Sequence, residues 1–526
     1  MPWPSKAAAL AIVLPWSICT TATGQGFSRR YDPIGSTGQF GWCIEQIGAD
    51  QFVVIGNMPW TDSLYYPSTV ISFKLDPNGE LIEEHQFQIP LKASYPGWSN
   101  SGVVLSDGRV VIGGGTQDLS DSNRVAIFWL GENSEPIDYL EIRPSAHHWI
   151  GYQLKATPDG GFILTGVTTA TGVQDIFLLK TDSIGNVQWW QTYGHPTRLD
   201  FCATVDLAPD GGYFIGGLYQ QIPGNGGQYV QWVLHADSLG GLLWEYFGGV
   251  PSYEAANAAV LATQDGNLVY AAALHGVGQN ADDRPQLVKL DTGGTELWNR
   301  TYGGEFYGTG FFVVAKVPIS GDLIACGQKW FTGLNVPPYR KGILLRATSE
   351  GDSLWMREYL YSDSTVVDCQ GVFRDVQPTP DGGFIVVGEA RGNINGSNPP
   401  GLSVDVWVVK VDSLGCIIPG CDDLSTPITE QITNLKEAVT VFPNPTSTST
   451  VVKVTLPSGS ALLGRGVGGE GELTLRLVST QGQEVLVQKA VMGENALDLR
   501  ALQAGLYYLH LTNGSTWLGG IKLVKQ

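Results

Sequence analysis

One turn constrains this chain more than any other feature. An Asp-Gly-Gly corner, or a worn version of it, leads into an apolar run that closes on a small residue. The pattern stands at residues 49–56 (ADQFVVIG), 107–114 (DGRVVIGG), 159–166 (DGGFILTG), 210–217 (DGGYFIGG), 265–272 (DGNLVYAA), 320–327 (SGDLIACG) and 381–388 (DGGFIVVG). The first and sixth have degenerate corners but keep the apolar run in place. Successive starts lie 51 to 61 residues apart. A period that drifts only by the length of a loop marks an array or ring of like units, not a string of independent domains.

A second turn keeps the same period. Asp76-Pro-Asn-Gly, Asp182-Ser-Ile-Gly, Asp237-Ser-Leu-Gly, Asp291-Thr-Gly-Gly and Asp412-Ser-Leu-Gly each follow an apolar strand. An Asp at such a corner bonds its own backbone two residues on, and Gly accepts positive φ. After the turns at 182, 237 and 291 comes a strand bearing Trp189, Trp244 or Trp298, and Trp355 holds that place in the sixth unit. Packing between neighbouring units is the expected role of these indoles. Each unit thus supplies four short strands, and no helical periodicity survives two turns between residues 25 and 415. Four-stranded sheets repeated radially close into a β-propeller, which leaves only short, protected edges. The expected fold is all-β, with a seven-bladed propeller of four-stranded blades over residues 25–415. The seventh unit runs from Asp412 into Cys416 without a Trp strand. Phe27–Tyr31 (FSRRY) resembles one, and is expected to close the last blade by pairing with residues 404–410.

Composition bears on compartment and partners. Gly 68, Trp 16, Tyr 20 and Phe 18 with only 15 % charged residues fit short strands between tight turns. The formal net charge is −19, and with no basic run to offset it, nucleic acid and anionic membrane surfaces are not expected partners. Residues 1–24 read as a signal peptide: Lys6 supplies the positive start, residues 7–18 form an apolar run too short to span a bilayer, and Ala22 and Gly24 suit the cleavage site. The mature chain is expected to be a soluble monomer with no transmembrane segment. Cys416 and Cys421 are close enough for a small disulfide loop in an oxidising compartment, while Cys43, Cys202, Cys326 and Cys369 read as buried small hydrophobes.

Past a linker at 416–434 the pattern changes. Alternating runs at 439–442, 451–456, 473–478, 484–489, 506–511 and 521–524 describe a small Ig-like antiparallel β-sandwich over 435–526, with a glycine-rich insertion at 464–471. Val441-Phe-Pro-Asn-Pro445, Ser479-Thr-Gln-Gly482, Leu502-Gln-Ala-Gly505-Leu-Tyr-Tyr508, and Lys522 with Lys525 resemble, in that order, the C-terminal sorting domain of type IX (Por) secretion cargo from Bacteroidetes-like bacteria. The resemblance implies export through the signal peptide, then outer-membrane passage directed by this domain, with the type IX machinery as partner. The product is then secreted or attached to the cell surface. Its motif residues fall on Pro443, Asn444, Pro445, Gly505, Tyr507 and Lys522. The repeat region is similar to the Asp-Gly-Gly-Phe repeat propellers that precede such domains, a likeness that carries a fold and no chemistry.

A search for chemistry finds no familiar motif. The Asp-Ser-x-Gly turns stand one residue off the Asp-box of sialidase propellers and read as plain turns. The Asp-Ser-Leu/Ile triplets at Asp62, Asp182, Asp237, Asp352 and Asp412 fit a short O-glycosylation acceptor pattern. Asp282-Asp283 and Asp422-Asp423 lack calcium-loop spacing, and His147-His148 read as strand neighbours with their rings on opposite faces. No nucleophile elbow, zinc helix, phosphate loop or dinucleotide fingerprint is present, so no catalytic residue, cofactor or metal ligand is assigned. The expectation is a surface binding module that takes a glycan or protein through loops at 57–69, 220–228, 332–340 and 391–403. Trp60, Tyr65, Tyr66 and Tyr339 are its candidate contact aromatics. The alternative is a polysaccharide hydrolase or lyase whose acids meet at one end of the channel. Convergence there of three or more carboxylate, His, Tyr or Arg side chains separates a built site from a bare funnel.

Overall fold

A computed structural model describes residues 26–32, 38–48, 51–59, 68–120, 122–222, 228–252, 257–275, 283–303, 309–333, 336–362, 366–394, 402–418, 430–433, 439–455, 473–479, 484–513 and 516–526. Among them there is no helix, and hence none long and apolar enough to cross a membrane. The described strands form nine sheets.

Seven of the sheets are antiparallel and built on four strands in chain order. β1 (Phe27–Tyr31) is set aside for the last of them. The first sheet is β2 (Phe40–Ile47), β3 (Gln51–Pro59), β4 (Ser68–Leu75) and β5 (Leu81–Phe87). In the second, the inner strand is broken into β6 (Lys92–Pro96) and β7 (Gly102–Val104), followed by β8 (Val110–Asp118), β9 (Asn123–Leu130) and β10 (Pro136–Ile142). The third is β11 (Trp149–Ala156), β12 (Phe162–Thr168), β13 (Asp175–Thr181) and β14 (Val187–Tyr193). The fourth is β15 (Phe201–Leu207), β16 (Tyr213–Ile222), β17 (Gln228–Ala236) and β18 (Leu242–Ser252). The fifth is β19 (Ala259–Ala262), β20 (Leu268–His275), β21 (Asp283–Leu290) and β22 (Glu296–Thr301). The sixth is β23 (Gly310–Lys316), β24 (Leu323–Gly333), β25 (Val336–Ala347) and β26 (Ser353–Ser362). The seventh is β27 (Val366–Pro378), β28 (Phe384–Ile394) and β29 (Leu402–Val411), with β1 as its fourth strand. β1 and β29 run antiparallel from Phe27 opposite Lys410 to Tyr31 opposite Val406. β30 (Glu430–Thr433) lies parallel to β26 on the outside of the sixth sheet.

The cores lie between sheets. Ile44, Phe52, Val54 and Phe73 of the first sheet pack with Phe27, Tyr31, Val387 and Val408 of the seventh. Cys43, Ile55 and Val70 of the first pack with Ile112, Ala126 and Phe128 of the second. The remaining clusters join the second to the third, the third to the fourth, and so on to the seventh, so the stack returns on itself. Each fully buried Val, Leu, Ile or Phe in these seams contributes about 1.5–3 kcal/mol.

One of the repeated turns joins neighbouring sheets, and the other ties strands together within a sheet. At Asp76, Asp182, Asp237, Asp291 and Asp412 one carboxylate oxygen accepts the backbone N–H groups two and four residues on, at 2.7–3.0 Å. The glycine that closes the turn has φ between 77° and 82° at Gly240, Gly294, Gly351 and Gly415. A Cβ there would come within 2.8–2.9 Å of Trp189, Trp244, Trp298 and Trp355 of the preceding sheet. The tyrosine at the other end of the Trp strand donates its hydroxyl to the same glycine's carbonyl in three seams: Tyr193 to Gly240, Tyr302 to Gly351 and Tyr359 to Gly415, at 2.6–2.7 Å. Phe27 and Tyr31 of β1 make the same two contacts on Gly79. At the Asp-Gly-Gly corners, Asp159, Asp265 and Asp381 hold the buried amines of Lys180, Lys289 and Lys410 at 2.6–2.8 Å.

Two further sheets pack face to face at the C-terminal end. One is β31 (Val439–Phe442), β32 (Ser449–Val454) and β35 (Gly493–Asp498). The other is β34 (Glu484–Lys489), β33 (Leu473–Ser479), β36 (Gly505–Asn513) and β37 (Thr516–Lys525). Val452, Val454 and Leu497 of one face Leu475, Leu477, Leu509 and Leu523 of the other.

Several readings need correction. β16, β24, β25 and β28 run further than the apolar pattern suggests, into segments taken for loops at 220–228, 332–340 and 391–403. β35 was not foreseen, because its GENALD sequence shows little apolar alternation. His147 and His148 stand in the connection between β10 and β11, not in a strand.

Candidate functional site

The first strands of the seven sheets touch one another in a cycle, β2 to β7, β11, β15, β19, β23, β27 and back to β2. They form the inner edge of the ring. An inner edge carries unpaired backbone N–H groups, which need partners. Side chains supply them across the seams. Asp375 accepts the Ile44 N–H at 3.0 Å, Gln153 the Val205 N–H at 2.6 Å, and Asp206 the Ala262 N–H at 2.7 Å. Thr204 donates to the Ala258 carbonyl at 2.9 Å.

Four of these inner strands carry a bulge at the same level. Pairing skips one residue at Trp42 in β2, Tyr152 in β11, Phe312 in β23 and Arg374 in β27. The trailing glycine of the repeat stands opposite each. A Cβ on Gly56, Gly166, Gly327 or Gly388 would lie only 1.9–2.1 Å from an inner-strand carbonyl oxygen. The glycine therefore admits the bulge, and the bulge re-aims one side chain. Each bulge stands four or five residues before the end of its inner strand, so the four share one level along the axis, set back from the Asp-Gly-Gly corners that follow.

There the bulged side chains meet in a continuous arc. Arg374 lies over Phe312 at 5.1 Å and over Trp42 at 5.0 Å. Trp42 stacks on Trp98 (6.3 Å, 14° between planes), and Trp98 stacks on Tyr152 (4.5 Å, 20°). Phe40 also stacks on Trp42, at 6.2 Å. Trp98 stands in the gap between β6 and β7, and is 44 % exposed. The backbone after it is strained, with Ser99 and Asn100 both at positive φ (42° and 51°). Gln153 and Lys155 of β11 pin that turn by donating to the Ser99 carbonyl and to the Asn100 side chain. Trp42 is fixed by its indole N–H, which donates to Asn57 at 2.6 Å.

Charge is concentrated beside the arc. Glu389 is fully buried and takes Arg374 on both oxygens (2.9 and 3.1 Å) and Arg391 on one (2.8 Å). Arg391 lies over Phe40 and Arg340 over Trp330. The two arginines hold the Glu389 carboxyl below its ordinary range despite its burial. Further along the axis, burial and the neighbouring Asp375 push Glu45 up to about 8, while Lys155 opposes the shift. Burial likewise lifts Asp375 to about 7 against its bonds from Ile44 and Val376. Cys43 and Cys326 are buried free thiols, both raised by burial.

None of the aromatics expected from sequence is in this arc as described. Trp60, Tyr65 and Tyr66 lie outside the described residues, and Tyr339 is described only as a backbone position in β25, opposite Phe331. The basic cluster was missed because its arginines are scattered at 340, 374 and 391. For the arc a signal did exist: Trp42, Tyr152 and Arg374 each stand seven residues ahead of the start of a repeat corner. Among the described residues no group of three or more His, Cys, Asp or Glu side chains forms a metal-binding set. Cys416 is disulfide-bonded, and Cys421 lies outside the described residues.

The C-terminal motif residues do come together. Asn444 donates to the Lys522 carbonyl at 2.6 Å and accepts the Val524 N–H at 2.9 Å, and Thr446 continues along the outer edge of β37. The Pro443-Asn444-Pro445 segment thus covers a sheet edge that would otherwise stand open. Gly505 opens β36, and Tyr507 donates its hydroxyl to the Gln503 carbonyl at 2.8 Å.

No curated protein matches the chain. Solved structures similar to it include a protein of unknown function from Dyadobacter fermentans DSM 18053 (11 % identity, 73 % of this chain and 99 % of that one, TM-score 0.38). Another is the β-propeller domain of the Trilobed protease from Pyrococcus furiosus, with an open velcro topology (7 %, 70 % and 93 %, 0.36). A third is an ulvan lyase, a polysaccharide lyase bound to a glucuronic acid and sulfated rhamnose unit (11 %, 74 % and 99 %, 0.39). All three fall below a TM-score of 0.5 and carry no argument about ligand or activity. Residues 440–526 match the family of the secretion system C-terminal sorting domain, which indicates export and a cell-surface or secreted destination.

Proposed function

We propose that this chain is an exported binding module: a seven-bladed β-propeller, closed by β1, that seats a glycan on the aromatic arc at one end of its axis. The observation that carries this reading is the run of part-exposed rings from Phe312 through Arg374, Trp42 and Trp98 to Tyr152. Ring planes in series offer sugars apolar faces to stack on, with polar edges close by. The accompanying proposals are a signal peptide at 1–24, a linker at 416–434 with a Cys416–Cys421 loop, and an Ig-like sorting domain at 435–526. That domain is read by the type IX machinery of a Bacteroidetes-like cell, and Pro443, Asn444, Pro445, Gly505, Tyr507 and Lys522 are its signature. The test is a glycan array on the mature chain beside its Trp98→Ala variant. Trp98 is exposed enough to be removed without unfolding the ring, and its loss should weaken glycan retention by roughly thirtyfold, the scale of a binding hot spot. An array that retains no glycan refutes the reading.

A polysaccharide-active enzyme is the second reading. The observation in its favour is Glu45, a carboxyl lifted to about 8 and facing Lys155 within the ring, the property of a general acid. Its neighbour Asp375 is committed to stitching the first and seventh sheets, which weighs toward binding. Reducing-sugar release that disappears in Glu45→Gln, with glycan retention intact, would decide for the enzyme.

A further inference from the structure

The face that carries the aromatic arc also carries more arginine than it can neutralise from within. Arg340 comes from β25, Arg374 from β27 and Arg391 from β28, so the sixth and seventh sheets build the cluster together. Each guanidinium lies against an aromatic ring: Arg340 over Trp330 at 4.5 Å, Arg374 over Trp42 at 5.0 Å, and Arg391 over Phe40 at 5.8 Å. One carboxylate serves the group. Glu389 takes Arg374 and Arg391, and its side chain is 0 % exposed. Among the described residues no carboxylate pairs with Arg340. Burial, then the like charges of Arg391 and Arg374, lower the hold of its guanidinium on its proton, and the attraction of Glu389 offsets them only in part.

Three fixed cations thus stand against one anion, in a chain whose formal net charge is −19. Gathering like charges at a half-buried place is unfavourable, and an anion arriving from outside relieves it. Guanidinium forks match the oxygens of a carboxylate or a sulfate. The arc beside them requires that the same ligand also present flat faces. A sugar polymer with a charged group on some of its rings has both features.

We infer that this end of the ring binds an acidic polysaccharide, with sugar rings stacked along Trp42, Trp98 and Tyr152 and a carboxylate or sulfate group held by Arg340 together with Arg374 and Arg391. The inference rests on the glycan-binding reading above and adds the charge of the ligand to it. A single-stranded nucleic acid also combines stacking and charge. It is disfavoured because three arginines cannot balance a phosphate on every nucleotide while the rest of the molecule repels it.

The experiment uses the full mature chain in affinity electrophoresis through gels containing polygalacturonate (carboxylated), carrageenan (sulfated) or xylan (largely neutral), with oligo(dT) in a parallel shift assay. It is run in low salt (about 20 mM) and high salt (about 500 mM). The expected result is retention by at least one acidic polymer, weakened about tenfold by high salt, with the xylan gel retaining less. Arg340→Gln should lose about tenfold on the acidic polymer, and Arg340→Lys should recover part of it. The two acidic gels distinguish carboxylate from sulfate recognition. Equal retention by xylan and the acidic polymers, or no effect of Arg340→Gln on acidic retention, overturns the charge inference and leaves the glycan reading standing. Retention of oligo(dT) in preference to every polysaccharide overturns the inference. Retention by no polysaccharide overturns both readings together.

Discussion

Glu45 holds a proton in the folded chain that an exposed glutamate would release. Its folded pKa stands near 8 against an ordinary 4.5, so between those values the native state binds more protons than the unfolded one, and stability falls as pH rises. Glu45→Gln removes that cost. The variant should match the parent in thermal melts at about pH 4.5 and exceed it at about pH 8.5. Glu389 has the opposite sign. Its pKa is held down by Arg374 and Arg391, so its contribution is present above the ordinary value of 4.5 and is lost as pH falls through the folded value. Glu389→Gln should cost about 3–5 kcal/mol in urea unfolding at neutral pH, because it leaves two guanidiniums without their buried partner. The gap between variant and parent should narrow in acid. At this scale the sequence offered only a spacing, Arg374 standing seven residues ahead of its corner as Trp42 and Tyr152 do, since what selects Arg374 is the carbonyl opposite Gly388, a contact between two strands. The repeat announced the glycine; nothing in its own run announced the bulge facing it.

Strands and turns were far more legible, because the residues that repeat are the ones that join sheets. Trp298 lies over the Gly351 turn and Tyr302, just past the end of β22, bonds the same glycine's carbonyl, so two residues four apart bear on one neighbouring turn. Trp298→Ala should cost about 3–5 kcal/mol and Tyr302→Phe about 1 kcal/mol in denaturant melts, with the fifth-to-sixth seam losing amide protection before the others. Phe27 and Tyr31 could be matched to this pattern from FSRRY alone, for the spacing of aromatic and tyrosine survives where the tryptophan does not. Element ends were read less well. β24 and β25 continue as a paired ribbon out to Gly333 and Val336, through Pro337 and Pro338, residues that ordinarily signal a loop. GENALD could not be read as β35, since its partner β32 supplies the backbone bonds and its own alternation is faint.

The whole molecule combines a ring with an address. Residues 440–526 carry the address; a chain lacking them should accumulate inside the cell envelope, and fractionation with an antibody to the ring checks this. Asn444→Ala alone should produce the same retention in part, because it uncovers the edge of β37 beside Lys522. The ring has one further property that belongs to time, not space. Trp407 donates its indole N–H to Ser28 across a separation of 379 residues, and β1 has no sheet to join until β29 exists. At the usual pace of synthesis that is a wait of about 20 to 80 s. Throughout it Phe27 and Tyr31 have only the first sheet and its Gly79 turn to rest on, and the ring is an open arc of sheets. The first strand made is the last one given its own sheet, so the ring closes latest at this seam.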